Sequence, residues 1–293
     1  MSAFCEVYLR LTNHHYNYDQ TKEQLRQRLS NPEPKYNISP RIKKFYNLKQ
    51  SELFGLDTFI FEGSKNCCIL YLHGGCYVNP PLIFHWSFLS KISKMTKSSI
   101  YVPIYPKAPF HHFDESYEIL TKFYEHLKSE YKTVIMMGDS SGGGLSLGLC
   151  EFFLTENLSL PNELILIAPW VDLTFSNPDV EKAEKTDPRN NTSSLSAMAE
   201  SWSNGDLNNY KVSPIFGAVK GLRNVTLITG TDDLLYPDTV KLAGILKKEG
   251  VKCKLIVADK MNHVYPVYPI PEAKEAINEI CSIISSACEI DDQ

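Results

Sequence analysis

From about residue 56 onward, short apolar runs alternate with longer stretches whose apolar positions recur roughly every three to four residues. The short runs are the pattern of strands buried on both faces and the longer ones of amphipathic helices, so the alternation predicts an α/β fold. Strand-helix units of this kind wrap helices on both faces of a mainly parallel central sheet. The expected strands are Leu56 to Phe61, Cys67 to Leu72, Ser99 to Ile104, the apolar run from Thr133, Glu163 to Ile167, Val225 to Thr229 and Lys252 to Val257. The expected helices are Phe84 to Lys94, Asp114 to Tyr131, Leu145 to Leu154, Asp238 to Glu249 and Glu272 to Ala287. In the second of these, Asp114 suits the N-cap and Leu120, Phe123, Tyr124 and Leu127 form the inner face.

Two regions break the alternation. The stretch before Leu56 is polar and tyrosine-rich, with one expected helix from Asp19 to Leu29 ended by Asn31-Pro-Glu-Pro34. The connection from Val171 to Arg223 carries Asn177-Pro178, Asp187-Pro188 and Asn190-Asn191, with one helical piece from Ser194 to Trp202. Loops of that length inside a compact domain are usually functional. The expected organisation is one domain over residues 1–293, with a cap over the strand C-terminal ends built from about 1–50 and about 171–223.

Composition narrows the partners. With 43% hydrophobic residues in 293, the chain has ample material for a core. A balance of 30 basic to 34 acidic residues, net −4, provides no basic field for nucleic acid or anionic lipid. The N-terminus lacks a basic segment followed by a long apolar one and no run reaches spanning length, so no membrane span and a cytoplasmic location are expected. A homodimer is left open. The eight cysteines form no C-x-x-C pair and mostly sit in apolar patterns, which predicts reduced thiols and neither zinc nor disulfides. His14-His15 and His111-His112 are neighbours in sequence, without clustered acidic ligands, and are expected on surfaces or loops instead of on a metal.

The chemistry is concentrated after the Thr133 run, where Gly138-Asp-Ser140-Ser141-Gly142 joins a strand to a helix. A serine on such a turn projects its hydroxyl above the sheet edge, with the helix N-terminus behind it. Gly144-Leu-Ser146-Leu-Gly148 matches the same pattern, but no strand precedes it, so Ser140 is the expected nucleophile and Ser146 a helix residue. Upstream, His73-Gly74-Gly75-Cys76 follows another strand. Its Gly74 and Gly75 amides, with that of Ser141, are the expected donors to an oxyanion, and His73 is expected to fix the loop. A serine also needs a histidine base and a carboxylate to set its tautomer. His263, after the last strand, is the expected base. Asp233 is the expected carboxylate, with Asp232 in reserve and Asp238 expected as a helix N-cap.

These motifs, together with Ala168-Pro-Trp170-Val-Asp172-Leu and Val212-Ser-Pro214-Ile, resemble the hormone-sensitive-lipase branch of α/β-hydrolases over most of the chain. The resemblance implies the α/β-hydrolase fold, no cofactor, and a serine carboxylesterase acting on small-molecule esters, with short to medium acyl chains expected. An amidase such as an arylformamidase, or a peptide hydrolase, is the nearest alternative on that fold. A non-catalytic receptor is the alternative from another class, but such receptors lose the histidine that stands here as His263. The chain departs from the branch at Cys76, commonly glycine or alanine, and at Ser141, commonly alanine. Neither change removes a backbone donor, although Cys76 is expected to narrow the pocket or to make activity sensitive to thiol modification. Trypsin-like proteolysis is excluded by the serine-before-histidine order, and nucleotide binding by the lack of a completed glycine-lysine motif.

Overall fold

The computed structural model describes residues 21–290. Expectations that fall on residues 1–20, among them His14-His15 and the start of the helix from Asp19, lie outside the described residues. The first described helix, α1 (Lys22–Arg28), is capped by Thr21, whose side chain accepts from the Gln24 amide.

Eight strands form one sheet in the order β1-β2-β4-β3-β5-β6-β7-β8. They are β1 (Lys49–Leu53), β2 (Leu56–Phe61), β3 (Ser64–Leu72), β4 (Ser98–Pro103), β5 (Thr133–Asp139), β6 (Glu163–Ile167), β7 (Asn224–Asp232) and β8 (Lys252–Asn262). β2 runs antiparallel to both β1 and β4, and every later pairing is parallel. Side chains alternate across the sheet with the period of a strand. Leu70, Leu72, Val134, Met136, Leu164 and Leu166 therefore enter one core, while their neighbours Ile69, Tyr71, Ile135, Met137, Ile165 and Ile167 enter the other. Helices α4 (Phe113–Glu130), α5 (Ser141–Thr155) and α8 (Tyr236–Lys248) cover the first face. Helices α3 (Ile83–Thr96) and α9 (Ala273–Ile290) cover the second.

Four expectations change. Asp114 is not the N-cap of α4; His112 holds that position and Glu115 closes onto its amide. Asp238 lies inside the first turn of α8, where its buried carboxylate accepts from Asn177 Nδ2 at 2.9 Å. Residues 49–53, which overlap the end of the cap segment expected over about 1–50, form the edge strand β1, beyond a short helix, α2 (Pro40–Tyr46). Finally, Cys67 and Cys288 form a disulfide with Cα atoms 5.8 Å apart, which corrects the expectation of reduced thiols for that pair. Packing of α9 on the sheet brings its last turn to the start of β3, a proximity that a separation of 221 residues does not announce.

The long connection contains α6 (Val180–Glu184) and α7 (Thr192–Ser203), and α7 packs against α1. The adjacent histidines part company: His111 bonds Glu33 and Glu115, whereas His112 bonds the Ser201 carbonyl. Among the described residues, no helix is long and apolar enough to cross a membrane.

Candidate active site

Ser140 is the single residue between β5 and α5, with φ 53° and ψ −122°. That conformation costs a non-glycine residue about 1–3 kcal/mol and persists only where its surroundings over-determine it. Here the Ser140 amide donates to the Ile167 carbonyl at 2.9 Å, and the Ser140 carbonyl accepts from Gly144 and Trp170 at 3.0 and 2.9 Å. The flanking glycines are required by close approach. A Cβ on Gly142 would lie 2.0 Å from the Leu72 carbonyl oxygen, and one on Gly138 would lie 2.4 Å from that of Gly142. Ser146 sits inside α5, where its hydroxyl donates back to the Gly142 carbonyl at 2.7 Å.

The parallel order β5-β6-β7-β8 places three loops at one sheet edge. Asp233, fully buried, follows β7, and His263 follows β8. His263 Nε2 lies 2.9 Å from Ser140 Oγ, while its Nδ1 lies 3.0 and 3.1 Å from the two Asp233 oxygens. An ionised carboxylate only accepts, so the proton belongs on Nδ1 and Nε2 is left to accept from the serine hydroxyl. Burial by itself would lower the His263 pKa. The charge and hydrogen bond of Asp233 outweigh it and, helped by Asp187 and Asp139, hold the group above its ordinary value of 6.5. Asp232 instead faces Asn262 across the β7–β8 ladder.

The glycine loop is organised by Asp139, the residue before Ser140. Its carboxylate accepts from the Gly74 amide at 2.8 Å, the Tyr71 hydroxyl at 2.6 Å and His85 Nε2 at 3.2 Å. Burial raises its pKa, but His85, Tyr71 and Gly74 together bring it below the ordinary carboxylate value. The expectation that Gly74 supplies an oxyanion donor is therefore corrected: its N–H is already engaged. The amides of Gly75, Cys76 and Ser141 have no hydrogen-bond partner among the described residues. His73 stacks on Tyr105 at a centroid distance of 4.6 Å and its Nδ1 lies 2.7 Å from the Gly74 carbonyl. Burial, with Lys107 nearby, pushes its pKa down to about 3, so it stays neutral and holds the loop. The Cys76 thiol, raised to about 12 by burial, stays protonated and is a poor target for oxidation.

Asp187, in the long connection, has a place that no motif announces. Its carboxylate accepts from the amides of Arg189, Asn190 and Leu234 at 2.8, 3.0 and 2.8 Å and from Asn190 Nδ2 at 3.0 Å, tying the connection to the loop that carries Asp233. Burial and the neighbouring Asp233 raise its pKa. Asp187 and Leu234 stand 47 residues apart, so only the Asp-Pro turn was visible in the sequence. Above Ser140 lies a cavity of ≈ 50 Å³ walled by Cys76, Leu82, Phe84, Arg189 and Tyr268.

A sheet of this order, with a serine on the turn after β5 and an aspartate and histidine after β7 and β8, defines an α/β-hydrolase. A family model described as the alpha/beta hydrolase fold matches residues 69–267. An esterase of Acinetobacter venetianus is 25% identical over 232 residues, covering 77% of each chain. A Staphylococcus aureus crystal structure described as a candidate esterase superposes with TM-score 0.84 at 30% identity, covering 89% of this chain and 90% of its own. An esterase/lipase structure from an uncultured bacterium gives 0.77 at 27%, covering 92% and 97%. The chain belongs to the α/β-hydrolase family, among its esterases.

Proposed function

We propose that this carboxylic ester hydrolase works through Ser140, His263 and Asp233 on esters with short acyl groups. The reading rests on one observation above all, the unbroken chain of contacts from Ser140 Oγ through the His263 ring to Asp233. Ser140 Oγ attacks the ester carbonyl while His263 Nε2 takes its proton. The Gly75, Cys76 and Ser141 amides receive the oxyanion. Collapse of the intermediate expels the alcohol, which leaves with the proton from His263. Water, activated by the same nitrogen, then cleaves the acyl-enzyme to the carboxylic acid and restores Ser140.

The acyl preference follows from size. At about 10–15 Å³ of cavity per water, the ≈ 50 Å³ cavity holds only about four water-sized groups. On p-nitrophenyl esters, kcat/KM is expected to be highest from acetate to butyrate and to fall at least about tenfold by octanoate. A flat or rising series would contradict this reading. Matched p-nitrophenyl butyrate and p-nitrobutyranilide decide between ester and amide hydrolysis: the ester is expected to turn over and the anilide not. Arg189 and Asn190 reach the pocket wall from the long connection, and α7 packs on α1; both support these segments as its cap.

The histidine sets the pH response. A base must be neutral, and the His263 value is raised, so activity is lost as pH falls through a value above 6.5. A kcat/KM profile on p-nitrophenyl butyrate should show its acid limb there; a limb below 6.5 would contradict the assignment of Asp233 as partner.

A further inference from the structure

A second and larger cavity, ≈ 800 Å³, lies beside the segment that follows the glycine loop. In the order β2-β4-β3-β5, the loop after β4 and the Ser140 turn after β5 flank β3 from opposite sides. From the segment that follows the glycine loop, Val78, Asn79 and Pro80 line the cavity. Tyr105 donates to the His73 carbonyl at 2.8 Å and the Ala108 amide to that of Tyr77 at 2.9 Å, while Arg28 bonds the Val78 carbonyl and Asn79 Oδ1 at 3.4 and 3.1 Å.

Lys107 fronts this space with only 9% of its surface exposed. Its ammonium donates to the Tyr105 carbonyl at 3.0 Å, and among the described residues no carboxylate lies within ion-pair distance. The acidic groups of the wall are engaged elsewhere: Glu33 with His111 at 3.0 Å, and Asp57 with Gln50 Nε2 at 3.0 Å. The ammonium also stands 5.7 Å from the Tyr105 ring centroid and feels Glu33 from farther off. A buried ammonium with no carboxylate paired to it is still costly, and an anion entering from the cavity would offset that cost. Arg28, Asn31, Lys35 and Asn37 also line the cavity, and Leu56, Ile104 and Ile119 give it an apolar stretch.

We infer that this rear cavity binds an organic carboxylate with a compact apolar body, its charge on Lys107 and its body against Leu56, Ile104 and Ile119. Inorganic phosphate carries no apolar body to cover Leu56, Ile104 and Ile119. The site is separate from the Ser140 pocket and the inference does not depend on the hydrolytic reading.

Titration of the full-length protein with sodium hexanoate, followed by calorimetry and by saturation-transfer NMR, tests it. Wild type is expected to bind one hexanoate, with neither hexanol nor inorganic phosphate competing. Lys107→Met should weaken binding at least about tenfold, and Lys107→Arg should retain it. Ile119→Trp, which fills the cavity from α4, should abolish binding and keeps the test decisive if Lys107→Met does not fold, as melting curves will report. Absence of hexanoate binding to wild type, equal binding by Lys107→Met and Ile119→Trp, or displacement by phosphate would each overturn the proposal.

Discussion

Replacing Ser140 by alanine is expected to lower kcat on p-nitrophenyl butyrate by at least about 10⁴-fold while leaving the melting temperature nearly unchanged. The loss is large because the hydroxyl that His263 Nε2 faces, at 2.9 Å, is removed. The fold should survive because the turn is held by backbone bonds to Ile167, Gly144 and Trp170, none of which involves the hydroxyl. Ser146→Ala is the matched control. Its hydroxyl bonds only the Gly142 carbonyl of its own helix, so activity within about twofold of wild type is expected. Comparable losses in both variants would mean that helix α5, and not the Ser140 hydroxyl, is what the activity reports.

Asp233→Asn should cost about 10⁴-fold in kcat with little change in KM. The carboxylate accepts from the Nδ1 proton of His263; an amide that turns its NH₂ toward the ring would favour the other tautomer and place the proton on Nε2, facing Ser140. The variant's residual activity should also show an acid limb shifted downward, because the charge and hydrogen bond of Asp233 do most to raise the His263 value. Asp232→Asn, one residue away on the β7–β8 ladder, should stay near wild type. If it is as damaged as Asp233→Asn, the histidine's partner has been assigned to the wrong residue.

Much of the frame was legible because buried parallel strands are apolar on both faces and helices on one. The strands ending at Leu72, Asp139 and Ile167 stand where their hydrophobicity placed them. Strand β1 was not legible, since its first four residues are exposed at a sheet edge and carry no apolar period. In the site, strand-end positions were enough to suggest Ser140, Asp233 and His263, and the structure brings those three side chains into contact. What sequence spacing could not carry was the commitment of individual hydrogen bonds. The Gly74 amide is spent on Asp139, a contact that depends on the register of β3 against β5. Asp187 and the Cys67–Cys288 pair escaped for the same reason: each is a tertiary contact between distant segments of the chain.

The central claim is that one serine, Ser140, is the nucleophile. Its most direct test is to treat the protein with a p-nitrophenyl alkylphosphonate of short chain and locate the adduct by peptide mass spectrometry. One phosphonate per chain is expected, on Ser140, with labelling lost in Ser140→Ala and greatly slowed in His263→Ala. A label on Ser141 or Ser146, or labelling of Ser140→Ala at the wild-type rate, would contradict it.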